Sequence, residues 1–274
     1  MFESILKKVK EKTPLVHSIT NYVTVNDCAN IILASGGSPI MADDIGEVGE
    51  ITSICSSLVL NIGTLNERTI QSMIAAGKRA NELGHPVILD PVGAGASQLR
   101  NNTALTLLKE VKFSVIRGNS SEIKFLAAGS SSTSGVDASA ADAVTADNLD
   151  QAVAFAKAFS KATGAVIVIT GATDIVADGE TAYVIRNGHP MMSRVTGTGC
   201  MLTAVIGSYV GANYDGILEA TACAVSAMGL CGELAYKRLC ELDGGTNTYR
   251  MLLIDFMSKM NVRMLEEGAK VERR

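Results

Sequence analysis

Short, unbroken apolar runs alternate with helix-length segments along most of this chain, and that alternation limits its fold more than any other feature. Ser57 to Gly63, Pro86 to Val92, Phe113 to Ile116 and Ala165 to Thr170 each read as a strand apolar on both faces. Between the first two, residues 66–83 place Ile70, Met73, Ile74 and Gly77 on one side of a helix that stops at Gly84. Asn102 to Glu110, Ser120 to Ala128 and Asp147 to Thr163 read as further helices. Strands buried on both faces and separated by helices require a mostly parallel sheet with helices on both sides. After Gly171 the pattern changes. Asp174 to Ala177 and Thr181 to Ile185, joined through Asp178-Gly179-Glu180, read as a hairpin. From Gly199 the chain reads as helical, with Leu218 to Glu241 and Thr246 to Glu267 as the main pieces. The charged tail Glu266 to Arg274 is expected to fray. Gly129 to Ala138 is the most polar stretch. Helices on either side favour a surface loop over a linker, so residues 1–274 are expected to form one domain.

Composition narrows the functional classes. A net charge of −4 leaves no basic footprint for nucleic acid. At 47% hydrophobic residues and a mean hydropathy of +0.24, the chain has apolar surface to bury in a core or between subunits. No segment approaches 18 uninterrupted apolar residues, and the start of the chain is charged rather than apolar. Neither a membrane span nor a signal peptide is expected, and the reading is a soluble cytoplasmic protein. The six cysteines form no C-x-x-C pair and lie mostly in apolar, helix-like stretches, which argues against a disulfide framework or a zinc site.

The chemistry gathers in glycine-rich turns and at strand ends. In the run Val195-Thr196-Gly197-Thr198-Gly199-Cys200 a turn opens directly onto an apolar helix. Free backbone N–H groups and the positive end of a helix dipole meet there, which makes an anion site. Cys200 at its mouth reads either as a base with a lowered pKa or as a buried small hydrophobe. In open parallel sheets ligands bind at the carboxyl ends of strands. Asp90, Arg117, Asn119, Glu122 and Thr170 all fall at such ends. Asp90 and Glu122 could organise Mg²⁺ through water, and Arg117 could hold phosphate oxygens bidentately. The plain alternatives are a turn-capping Asp, an ordinary helix start at Asn119 to Glu122, and a surface Arg. No G-x-x-x-x-G-K-[ST] is present, and neither Gly93-Ala94-Gly95 nor Gly197-Thr198-Gly199 extends to G-x-G-x-x-G.

Asn119 to Glu122 and Gly197 to Cys200 resemble the N-x-x-E motif and the late anion hole of the ribokinase-like superfamily. Cys in place of the usual Asp at position 200 resembles the hydroxyethylthiazole kinase family within it. So do residues 14–23 (PLVHSITNYV), 38–42 (SPIMA), 90–94 (DPVGA) and 117–119 (RGN), and the match runs from about Pro14 to about Glu266. The resemblance implies a three-layer α/β fold without a lid. It implies ATP-dependent phosphorylation of the primary alcohol of 4-methyl-5-(2-hydroxyethyl)thiazole, with Mg²⁺, in a homotrimer with active sites at subunit interfaces. By matched position, Met41 and Gly197 contact the thiazole with Asn21 and Val23 nearby, and Arg117, Thr170 and Asn119 bind ATP. Asp90 and Glu122 support Mg²⁺, Cys200 faces the substrate hydroxyl, and the Gly197, Thr198, Gly199 and Cys200 amides neutralise charge on the γ-phosphate. Met41 would otherwise fill a core gap, and His17 is expected to be structural. Other ribokinase-like kinases, acting on hydroxymethylpyrimidine or a sugar, and a non-catalytic nucleotide-binding protein are the competing readings.

Overall fold

The apolar runs lie side by side in a single sheet. The structure is a computed structural model that describes residues 2–129 and 144–274, so the expected polar loop lies, after Gly129, outside the described residues. In chain order the first half contains α1 (Glu3–Lys12), β1 (Leu15–Ile19), α2 (Val25–Ser35), β2 (Ser38–Ile40), α3 (Val48–Ile54) and β3 (Ser57–Asn61). It continues with α4 (Glu67–Leu83), β4 (Val87–Asp90), α5 (Gln98–Glu110), β5 (Val115–Asn119) and α6 (Ser120–Gly129). The second half contains α7 (Leu149–Thr163), β6 (Val166–Thr170), β7 (Asp174–Ala177), β8 (Ala182–Ile185) and α8 (Thr198–Ala212). It ends with α9 (Ile217–Leu242), α10 (Thr246–Lys259), α11 (Val262–Gly268) and β9 (Val271–Arg273).

Among the described residues the strands form one nine-stranded sheet in the order β2-β1-β3-β4-β5-β6-β7-β8-β9. Pairings from β2 to β6 are parallel, and β7, β8 and β9 extend the sheet antiparallel. No second sheet stands over the first as a lid among the described residues. Alternate strand residues feed two cores, one on each face. Val16, Val59, Ile88 and Val115 pack against α1, α2, α8, α9 and α10. Leu58, Leu60, Leu89 and Ile116 pack against α4, α5, α6 and α7. Both faces are covered, as the continuous apolar strands require.

Local signals explain most element ends. Asn66 caps α4 by accepting from the Thr69 N–H, and Gly84 closes it in a left-handed conformation. Three expectations need correction. The helix expected over Thr246 to Glu267 is two helices, because Met260 turns inward and Asn261 caps a new start by accepting from the Met264 N–H. Helix α5 starts at Gln98, four residues earlier than expected, because Ser97 caps it. The tail does not fray at its end. Val271–Arg273 pairs with the open edge of β8, and Glu272 sits between Arg186 and Arg274. One stretch, Tyr214–Leu242, has the length and composition to cross a membrane even though no uninterrupted apolar run marks it. Of its apolar window, 78% is buried inside the protein, as befits a core helix.

Helix α8 lies over β1, β3 and β4 and is apolar all round, as a buried helix must be. It reaches the sheet because Gly207 has no side chain: a Cβ there would stand 2.8 Å from Val59 Cγ2 and 3.0 Å from Val16 Cγ1. Gly207→Val is therefore expected to overpack this seam and lower stability by about 1–3 kcal/mol in urea unfolding. Val59→Ala in the same chain should restore part of the loss.

Candidate active site

The parallel registers gather polar side chains at the carboxyl ends of the strands. Asn61 on β3 stands beside Asp90 on β4, and Asn119 on β5 beside Thr170 on β6. The N-terminus of α8 points at this row. Its cap, Gly197, has φ +89°, and a Cβ there would lie 2.5 Å from Thr24 Cγ2, so both backbone and space demand glycine. The first i→i−4 bond runs from Met201 N–H to the Gly197 carbonyl. The amides of Thr198, Gly199 and Cys200 precede it and have no partner within the helix.

Asp90 is fully buried beneath this helix start. Its Oδ2 accepts from Thr203 Oγ1 and Asn61 Nδ2, both at 2.8 Å, and its Oδ1 faces Arg117 Nη1 at 3.4 Å. Burial pushes the Asp90 carboxyl up, while the Arg117 charge and the Thr203 and Asn61 bonds pull it back. Arg117 donates from Nη2 to Thr170 Oγ1 at 2.8 Å, and its buried Nε has no partner. Gly199 lies so close that a Cβ there would be 2.8 Å from Arg117 Nη1.

Cys200 Sγ receives N–H groups from Asn21 Nδ2 and Asn61 Nδ2, each at 3.3 Å. Burial and then the Asp90 carboxylate push its thiol up, outweighing the bonds from Thr24, Asn21 and Asn61. This corrects the expectation of a lowered pKa: desolvation and a neighbouring anion win over the helix start. None of the three histidines is among the partners of Cys200. His17 is buried with Nε2 on the Ala42 carbonyl and Nδ1 on Thr52 Oγ1. A carbonyl can only accept, so Nε2 carries the proton, and burial keeps the ring neutral by lowering its pKa. His17 is structural, as expected.

Glu122 and Asn119 form a reciprocal cap. Glu122 N–H donates to Asn119 Oδ1, and Asn119 N–H donates to Glu122 Oε2. Glu122 Oε1 also accepts from the Gly93 N–H. The plain reading of a helix start therefore holds for this motif, alongside any further role.

Two cavities meet at the start of α8. The smaller, about 320 Å³, is lined by Asn21, Val23, Thr24, Asn119, Glu122, Gly197 and Cys200. The wider, about 680 Å³, is lined by Thr170, Asp174, His189, Met192, Thr198 and Met228 among others. Arg117 and Gly199 line both and form the seam between them. Asp90 and Met41 line neither. Asp90 lies below the seam, and Met41 follows β2 and packs against the core. Asn119 opens on the smaller cavity, apart from Thr170 on the wider one. Sequence reasoning missed Asn61, Thr203, Asp174 and His189. Asn61 has a local signal, a lone amide ending an apolar strand, but Thr203 is one hydroxyl inside an apolar helix.

The model of the hydroxyethylthiazole kinase family matches residues 6–263. A hydroxyethylthiazole kinase of Clostridium acetobutylicum is 61% identical over 99% of this chain and 99% of its own length. The chain belongs to the hydroxyethylthiazole kinase family. The solved structure of a hydroxyethylthiazole kinase protein from Pyrococcus horikoshii OT3 superimposes with a TM-score of 0.88 at 34% identity, covering 99% of this chain and 98% of that one. A pyridoxal kinase from Staphylococcus aureus, at a TM-score of 0.57 and 15% identity over 80% of this chain and 88% of its own, shares the ribokinase-like fold.

A hydroxyethylthiazole kinase uses ATP, and its family implies Mg²⁺. Among the described residues no group of three or more His, Cys, Asp or Glu side chains could hold a metal directly. Each Glu122 oxygen receives one N–H, and the residue lines the smaller cavity. That donor set fits a hydrated Mg²⁺ shared with phosphate, because Mg²⁺ keeps several of its waters. Asp90, its carboxylate covered by protein donors, fits only a supporting role from below.

On the wider cavity, Asp174 Oδ1 accepts from the Gly171 N–H at 2.9 Å. Burial raises its carboxyl from 3.8 to about 7, against the Gly171 bond and the Arg117 charge. A folded-state pKa above the unfolded one means the charged form costs stability, a cost absent below the unfolded pKa and complete above the folded one. Melting temperatures of wild type and Asp174→Asn should therefore coincide near pH 4 and diverge toward pH 7, with the variant the more stable, about where the two carboxyl pKa values place the window.

Proposed function

We propose that this chain transfers the γ-phosphoryl group of ATP to the primary alcohol of 4-methyl-5-(2-hydroxyethyl)thiazole, in thiamine salvage. The observation that carries the reading is the pair of cavities meeting at Arg117 and Gly199, in front of the α8 amides. The wider cavity takes the nucleotide, with Met192 and Met228 offering apolar surface to the base. The smaller takes the thiazole alcohol, with Cys200 and Asn21 beside its hydroxyl. The seam is where the γ-phosphate sits between them.

Phosphoryl transfer depends on positioning and charge stabilisation more than on covalent chemistry. The Thr198, Gly199 and Cys200 amides donate to the phosphate oxygens, and Arg117 adds its unpaired donors from the same side. Thr170 and Asp90 hold the guanidinium between them. Glu122 would hold hydrated Mg²⁺, which would shield the phosphate charge, and Asp90 would lend its negative field from below. Asn119 fixes Glu122. Cys200, a neutral thiol near pH 7, contributes little as a base; a general base adds about 10²–10⁴-fold where one is present.

The chain works as a single domain in a cytoplasmic homotrimer, with Met41 on the thiazole at a subunit interface. Exposed Val23, which lines the smaller cavity, and its exposed chain neighbour Tyr22 support an interface there. The test is Mg-ATP-dependent phosphorylation of hydroxyethylthiazole by the purified protein, with hydroxymethylpyrimidine and ribose alongside. Thiazole phosphate with little product from the other two supports the reading, and its absence from folded, ATP-binding protein overturns it. Cys200→Ala should lose only modest activity in kcat, less than the roughly hundredfold at the low end of what a true general base supplies. Cys200→Asp should match or exceed wild type, because a carboxylate in that place is ionised.

A further inference from the structure

The two amides beside Cys200 have their orientations dictated by backbone groups. Asn61 Oδ1 must face the Gly63 N–H, 2.9 Å away, because only an acceptor can. Its Nδ2 must then face Asp90 Oδ2, and the second hydrogen of that nitrogen reaches Cys200 Sγ. Asn21 Oδ1 likewise accepts from the Thr24 N–H and Thr24 Oγ1, both at 3.1 Å, which turns Nδ2 toward Asn61 Oδ1 and the same sulfur. Neither amide can flip without leaving buried donors facing donors. Both residues are buried, so no water replaces these bonds cheaply.

A thiol sulfur that receives two N–H groups has its acceptor capacity filled. Its own hydrogen must then point elsewhere, and the open direction is the smaller cavity that Cys200 lines. We propose that Asn61, together with Asn21, is a positioning residue that fixes the Cys200 thiol as a hydrogen-bond donor to the acceptor alcohol. The alcohol oxygen is thereby turned with a lone pair on the S–H, leaving another to form the bond to phosphorus as the bond to the ADP oxygen breaks, while the alcohol proton passes to an oxygen of the transferred phosphoryl group. This goes beyond the reading of Cys200 as a weak base and rests on the thiazole alcohol occupying the smaller cavity.

Besides the two amides, the Thr24 hydroxyl stands beside the sulfur, Asp90 faces it from β4 and Cys28 from α2, and Arg117 from β5 lies against Gly199. Asn61→Leu keeps the bulk, removes the N–H to sulfur and leaves Asp90 its bonds to Thr203 and Arg117. Losing one N–H to a thiolate should raise the pH midpoint of Cys200 alkylation by about one unit. Iodoacetamide reads this thiol in a Cys240→Ser background, since the other cysteines are buried. Easier access would hydrate the thiol and lower the midpoint, the opposite sign to the rise expected from the lost N–H.

A second comparison holds if Asn61→Leu does not fold. Cys200→Ser keeps a donor between the same two amides, and Cys200→Ala keeps none. The alanine variant should raise KM for the alcohol about tenfold more than the serine variant. An unmoved midpoint in folded Asn61→Leu, or equal KM values in the two Cys200 variants, overturns the proposal. A shifted midpoint in a protein that makes no thiazole phosphate would sink the substrate reading while the hold on the thiol stands.

Discussion

A carboxylate with no exposed surface anchors this molecule. Asp90 joins β3 through Asn61, β5 through Arg117 and α8 through Thr203. A buried charge left without partners costs about 3–5 kcal/mol, so each of these elements is tied to the others' placement. The same contacts aim the site. Arg117, held by Asp90 on one side and Thr170 on the other, cannot swing away from the seam. Helix α8, held over Asp90, presents its amides to the same point. Stability and phosphate recognition thus draw on one network, which explains why so polar a cluster persists under an apolar helix.

Much of the fold was legible in the sequence because its strands are buried on both faces. Residues such as Leu58 and Val59 feed opposite cores, and that demand leaves continuous apolar runs that few other structures produce. The hairpin of β7 and β8 was legible from Asp178-Gly179. Edges and short caps were not. β9 is three charged or half-buried residues whose strand character comes from the open edge of β8 rather than from their own propensity. The break between α10 and α11 is set by Met260 finding the core, a through-space event.

For the site, the glycine-rich turn and the polar residues at strand ends could be read because each has a local pattern. Their sorting into two cavities could not, since it depends on where α8 lies over the sheet. Asn119 shows the limit well. It lies at the end of the same strand as Arg117, yet it opens on the other side of the seam from Thr170. The Cys200 thiol was misjudged for a similar reason. The helix start is visible in the sequence, but the burial and the neighbouring Asp90 that outweigh it are not.

The strand order also sets a timetable. From β4 to β8 each strand joins the one before it, so that part of the sheet can grow outward by nearest-neighbour steps with little loop-closure cost. Helix α8 breaks that rule: it comes after eight strands, yet it packs on β1, β3 and β4 near the beginning of the chain. The cluster of Asn21, Asn61, Asp90, Arg117 and Cys200 exists only once that return is made. A refolding chain would regain its backbone signature before its catalytic competence, and a cell inspecting half-made copies would find sheet without site.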